Sequence, residues 1–270
     1  MIVINEKPII KLTSEFESPS IISTPENDPH VESKSMIGNN DLLDVNFLET
    51  GANIQKAVGK VITHPSGKFA SGFLVSPSLF MTNNHVLPTI QDAEAAEFQF
   101  NYQLDIHGSQ LPVDTFHASI DLATRFFYTN DVLDYTIIRL APNNGNPGNK
   151  HAFIKLKIPN IALNDRCNII QHPLGVPKKV ALRDSIITNI FEKVIRYTSD
   201  TETSSSGSPV FDDSWNLIAI HRGKGAVGTN ASGQSVYINN EGIRIQNIIL
   251  HLKNYLTTNN RTNIIAELGL

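Results

Sequence analysis

The sequence predicts an all-β chain folded as two antiparallel β-barrels, with an α-helix at its C-terminal end. Three observations predict it. Between about residues 54 and 240 the apolar residues come in short runs, many of them β-branched, separated by turn formers such as Pro-Ser-Gly and Ser-Pro. The cluster Ala141-Pro142-Asn143-Asn144-Gly145-Asn146-Pro147-Gly148-Asn149 divides those runs into two groups, as a linker between barrels would. After Gly242 the hydrophobic period changes to that of a helix, with Ile245, Ile248, Ile249, Leu252 and Tyr255 or Leu256 on one face.

In order, residues 1–36 are rich in Ser, Pro, Asn and Glu. Patches such as Ile2-Val3-Ile4 are too short to offset the entropy of ordering the chain, so the segment reads as a flexible leader or propeptide-like tail. The first barrel, 37–141, takes strands at 56–62, 69–75, 79–82 and, with period two, 98–102, and a further strand following Asp134. The linker and second barrel occupy 142–241, with strands at 168–171, 179–182, 185–190, 193–198, 209–211, 216–221 and 234–239. Residues 242–270 form the terminal helix and, beyond an Asn/Thr break, a short helical tail.

At 270 residues and 40% hydrophobic content the chain can bury a sizeable core, and no apolar run approaches the ~20 residues of a membrane span. The formal charge of -4 and the lack of a Lys/Arg block exclude a nucleic-acid footprint and point to a protein or peptide partner. Cys167 is the only cysteine, so no intrachain disulfide is possible. Residues 1–20 lack a basic n-region, and Glu6, Lys7 and Glu15 interrupt their apolar residues. A cytoplasmic location is expected, with non-classical secretion or delivery to a host as the alternative. Oligomeric state leaves no signal.

The chemistry centres on Thr203-Ser204-Ser205-Ser206-Gly207-Ser208-Pro209-Val210-Phe211, in which Ser206 is the candidate nucleophile. A serine hydroxyl needs a base to take its proton and donors to hold the oxyanion that forms. Upstream, two apolar strands joined by Ser76-Pro77 lead to His85, and Asp134 opens the strand Tyr135-Thr136-Ile137-Ile138-Arg139-Leu140. The chain order is His, Asp, Ser. His64, His107, His117, His151 and His251 have no metal-ligand spacing, which disfavours a zinc hydrolase. An α/β-hydrolase esterase is excluded by order, because its nucleophile would precede the acid and the histidine.

Over roughly residues 36–256 these segments resemble the trypsin-like serine peptidases, whose boxes read "TAAHC", "DIAL" and "GxSGxP". The resemblance implies two six-stranded barrels with the site in the cleft between them and no cofactor. It makes His85 the general base, Asp134 its orienting carboxylate and Ser206 the nucleophile. It also assigns the oxyanion hole to the backbone N–H groups of Ser204 and Ser206, with a serine at 204 where the family usually has glycine. Met36-Ile37-Gly38-Asn39-Asn40-Asp41 resembles the "IGxDDR" mature start of the glutamyl-endopeptidase branch, implying processing near Ile37. His221 and Thr201 match that branch's pocket residues, which implies cleavage after an acidic residue. Asp200 instead occupies the place of the trypsin pocket carboxylate, which would favour Lys or Arg. Gln171-His172-Pro173-Leu174-Gly175 resembles the "QHPxG" turn of bacterial intracellular members, with His172 structural, and Arg222-Gly223-Lys224-Gly225 reads as a mobile rim loop. The alternative to a peptidase is a catalytically weak scaffold that binds an extended peptide in the same cleft.

Overall fold

The computed structural model describes residues 10–11, 42–182, 185–229, 232 and 234–270. The expected processing site near Ile37 lies outside them, as does all of the expected leader except 10–11. Strand β1 (Ile10–Lys11) and helix α1 (Asn46–Ile54) precede the first sheet. That sheet is built from β2 (Val58–Ile62), β3 (Phe69–Leu74), β4 (Leu79–Thr82), β5 (Glu97–Phe100), β6 (Asp114–Phe116), β7 (Phe127–Asn130) and β8 (Tyr135–Arg139), with α2 (Ile90–Ala95) between β4 and β5. All pairings are antiparallel, in the order β6-β5-β2-β3-β4-β8-β7.

A short helix α3 (Pro147–His151) follows in the expected linker. The second sheet contains β9 (Asn168–Gln171), β10 (Lys179–Ala181), β11 (Ile187–Ile190), β12 (Val194–Tyr197), β13 (Pro209–Phe211) and β14 (Leu217–Lys224). After the hairpin of β15 (Val227–Thr229) and β16 (Ser235–Tyr237) comes β17 (Asn240–Arg244), and the sheet runs β1-β11-β12-β17-β14-β13-β9-β10. The chain ends in α4 (Ile245–Thr258) and α5 (Thr262–Leu268). The architecture is the expected pair of antiparallel β units with a C-terminal helix. The strand count is corrected: seven and eight strands stand where six and six were expected. Among the described residues no helix is long and apolar enough to cross a membrane.

The first core is aromatic. Phe98 and Phe100 point inward while Glu97 and Gln99 are partly exposed, and the two phenyl rings meet Phe80 edge-on at 5.0 and 5.8 Å. β4 is buried along its whole length, so it reads as an apolar run without alternation. Two boundaries are corrected. The expected division at 241/242 cuts through β17, because Gly242 is a mid-strand glycine and not a helix-start signal. A Cβ there would stand 3.1 Å from both the Ala219 Cβ and the Ile220 carbonyl oxygen, tighter than ordinary contact, so glycine suits the close approach of β17 to β14. The expected rim loop at 222–225 is largely strand, since β14 continues to Lys224 through a bulge between His221 and Gly223.

The C-terminal helices touch both sheets. The buried face of α4 (Ile245, Ile248, Ile249, Leu252, Leu256) lies on β14 and β17. Its other residues reach the first sheet, where His251 Nδ1 meets the Tyr135 hydroxyl at 3.0 Å and Tyr255 stacks on Tyr128 at 3.7 Å. From α5, Glu267 accepts hydrogen bonds from Ser76 (2.6 Å), Ser78 (2.7 Å) and Arg139 (2.7 Å). Burial alone would raise the Glu267 carboxyl, but these hydrogen bonds and the Arg139 charge outweigh it and hold the pKa below its ordinary value. A depressed folded-state pKa contributes stability above the unfolded pKa that is lost as pH falls through the folded one. Wild type is therefore expected to exceed Glu267→Gln in unfolding free energy by about 1–2 kcal/mol near neutral pH, the gap closing below about pH 4. A gap that stays constant in urea titrations across that range would contradict the contact.

Candidate active site

The register of the first sheet places the imidazole and the carboxylate together. Thr82, the last residue of β4, pairs with Thr136 of β8, so the chain leaving β4 and the chain entering β8 lie side by side. Asn83 ties them, its side-chain amide donating to the Asp134 carbonyl at 2.9 Å. Asp134 takes a positive φ of 41°, is 4% exposed, and accepts from the His85 backbone N–H at 3.0 Å. His85 Nδ1 stands 2.9 Å from Asp134 Oδ2. A carboxylate only accepts, so the imidazole proton sits on Nδ1 and the Nε2 lone pair is left for another proton.

The serine loop is stitched to the neighbouring strand β3. In β3, the Ser71 N–H donates to the Ser206 carbonyl at 2.9 Å and the Ser71 hydroxyl to the Ser204 carbonyl at 3.2 Å. The Ser71 carbonyl in turn accepts from Thr82 Oγ1 at 2.7 Å, three residues before His85. The Ser206 hydroxyl donates to the Arg222 carbonyl at 3.4 Å and makes no hydrogen bond to His85.

Two peptide planes of the loop are held from behind. The Thr203 carbonyl accepts from the Leu174 N–H at 2.6 Å, and the Ser205 carbonyl from the Ser208 N–H at 3.1 Å. In a trans peptide the C=O and N–H point in opposite directions, so the N–H groups of Ser204 and Ser206 face away from these anchors. Neither donates to a backbone carbonyl among the described residues. Ser204 sits at φ 76°, the left-handed region in which the glycine of related loops is at ease, and the Leu174 and Ser71 contacts hold it there.

The expected pocket residues have different fates. His221 is 2% exposed, and its Nδ1 meets the Tyr197 hydroxyl at 2.7 Å. Burial, then the charge of His85, pushes its pKa down to about 3, so the ring is neutral near neutral pH. The buried Tyr197 hydroxyl has this ring as its hydrogen-bond partner and donates to it, which puts the His221 proton on Nε2. Thr201 already donates to Asn240 Oδ1 at 2.7 Å, so its hydroxyl has no proton left for a ligand. Asp200 is exposed, and its carbonyl accepts from Gln171 Nε2 at 2.9 Å. His172 is fully buried, its N–H donating to Ser71 Oγ at 2.9 Å and its ring stacked on Tyr102. Cys167 is buried, which pushes its thiol up to about 12.

One residue read only as part of a rim loop proves to lie against Asp134. Arg222 brings its Nε to 3.5 Å from Asp134 Oδ2 and its Nη1 to 3.6 Å from Glu241 Oε1. Its position one residue after His221 was readable, but its partners depend on the pairing of β14 with β17. Among the described residues no three His, Cys, Asp or Glu side chains converge as a metal site.

Comparison with known proteins places the chain in a family. The chain is 31% identical over 206 residues to a Sinorhizobium fredii protein named Uncharacterized protein y4fB, covering 70% of this chain and 31% of that one. It is 27% identical over 177 residues to Secreted RxLR effector protein 73 of Plasmopara viticola, covering 60% and 42%. The chain thus spans 31% and 42% of the length of these two curated relatives. A solved structure of a Glu endopeptidase in complex with MPD superposes with a TM-score of 0.52 at 14% identity, over 76% of this chain and 91% of that one, a likeness of fold. Residues 70–220 match the family model described as trypsin-like peptidase domain, a stretch that contains His85, Asp134 and Ser206, and the chain belongs to that family.

Proposed function

We propose that the chain is a serine endopeptidase that cleaves peptide bonds in protein substrates through an acyl-enzyme. The observation that carries the reading is the Asp134–His85 pair at 2.9 Å beside a serine loop anchored to the adjoining strand β3. His85 Nε2 accepts the Ser206 proton as the hydroxyl attacks the carbonyl carbon, and returns it to the leaving amine. Asp134 holds the tautomer, and the N–H groups of Ser204 and Ser206 receive the oxyanion. The Ser206 hydroxyl leaves the Arg222 carbonyl for His85 when substrate enters, in keeping with catalytic hydrogen bonds that tighten only in the complex.

The pocket favours an acidic residue before the cut. His221 is neutral with its proton on Nε2, a donor for a substrate carboxylate, whereas the exposed Asp200 supplies no buried counter-charge for Lys or Arg. Digestion of a peptide library is expected to yield cuts mainly after Glu, with His221→Ala reducing those cuts at least tenfold. Cuts mainly after Lys or Arg would overturn the preference, and no cuts by a folded chain would favour the peptide-binding scaffold.

A further inference from the structure

Residue 222 touches the proposed triad at both ends. Its main-chain carbonyl accepts from the Ser206 hydroxyl, and its guanidinium lies against the Asp134 carboxylate. Asp134 has given up almost all of its water, because its side chain is only 6% exposed, and an ionised carboxylate so buried needs cationic or donor partners. Among the described residues these are the His85 imidazole and backbone N–H on one side and Arg222 Nε at 3.5 Å on the other.

Behind Arg222 the charges continue in alternation. Glu241 Oε1 lies 3.6 Å from Arg222 Nη1, and Glu241 Oε2 lies 3.2 Å from Arg196 Nε. The order Arg196, Glu241, Arg222, Asp134, His85 runs from β12 through β17 and β14 to the loops bearing the imidazole and the carboxylate. His221, on β14, also faces His85 electrostatically, and Tyr197, on β12, faces Glu241.

We propose that Arg222 is a positioning residue that holds the Asp134 carboxylate against His85 and, with Glu241 behind it, tunes the charge that His85 faces. This rests on the serine-peptidase reading of the same site. The sign follows from the order of charges. A cation on the far side of Asp134 offsets part of the negative field that His85 faces. Removing Arg222 exposes His85 to the full carboxylate, whereas removing the Glu241 charge leaves Arg222 less compensated and acts in the opposite direction.

The test uses the whole chain and two readouts. The first is the NMR titration of the His85 ring protons, assigned by their absence in His85→Ala. The second is the rate of acylation by a fluorophosphonate as a function of pH. Arg222→Met is expected to move both the titration midpoint and the acid limb upward by on the order of one pH unit. Arg222→Lys is expected to keep the wild-type position, and Glu241→Gln to move it downward. A folded Arg222→Met or Glu241→Gln protein that titrates as wild type overturns the proposal. If Arg222→Met does not fold, the direction of the Glu241→Gln shift decides. Failure of wild type to be acylated would count against the peptidase reading, while the NMR titration would still decide the role of Arg222.

Discussion

Replacing Ser206 with alanine is expected to lower peptide hydrolysis by on the order of 10⁶-fold, and His85→Ala by nearly as much, with the double variant no worse than either alone. The non-additivity is the informative part. The base has nothing to activate once the hydroxyl is gone, and the hydroxyl is inert once the base is gone, so the second removal has nothing left to take away. Asp134→Asn is expected to cost about 10⁴-fold for a different reason. An amide nitrogen facing His85 Nδ1 would donate to it and drive the proton onto Nε2, the position that must accept from Ser206, although the 2.9 Å spacing could persist unchanged. Hydrolysis of a peptide found in the library digest, followed for the three single variants and the double variant, provides the measurement. Additive losses for Ser206→Ala and His85→Ala would mean that the two side chains act separately, contrary to the proposed mechanism.

Much of this site was legible because its chemistry is local in sequence. His85 and Asp134 each adjoin a strand whose residues are nearly all buried, so apolar runs marked their positions, and the register of β4 with β8 brought them together. β5 was readable from its alternation, and α4 from the spacing of Ile245, Ile248, Ile249, Leu252 and Leu256, all of which are buried. The misses share a cause in long-range contacts. β7 has no fully buried residue and therefore no periodic signal. α1 carries Gly51 in its interior, a poor helix former, because the Trp215 indole lies where a Cβ would be, and Trp215 Nε1 donates to the Phe47 carbonyl at 2.9 Å. The Arg222 network was invisible for the same reason: nothing near residue 222 announces that Gly223 pairs with Glu241 across β14 and β17. Local pattern locates the proposed reacting groups, whereas their charge environment is set by strands that meet only after folding.

The same dependence makes Gly207→Ala the most damaging substitution expected outside the triad. Gly207 has φ +85°, and a Cβ built there would overlap the Ser71 carbonyl oxygen and the Thr82 hydroxyl, which are hydrogen-bonded to each other at 2.7 Å. The Gly207 N–H is also committed, donating to the His221 carbonyl at 2.9 Å, so the residue is held between the two sheets. An alanine fits only if the loop moves off β3, which breaks the Ser71 contacts to Ser204 and Ser206 and turns the proposed oxyanion donors out of place. Backbone strain of about 1–3 kcal/mol and overpacking of similar size give an expected destabilisation of about 2–6 kcal/mol. Acylation of the remaining folded protein is expected to fall at least 10²-fold through misplacement of the nucleophile. Gly67→Ala is the matched control, because Gly67 shares the left-handed backbone at φ +64° but has nothing within 4 Å of the added Cβ. It is expected to cost only the backbone term, about 1–2 kcal/mol. Unfolding of both variants in urea isolates the steric part by difference, and equal losses for the two would mean that the serine loop does not sit against Ser71 and Thr82 as described.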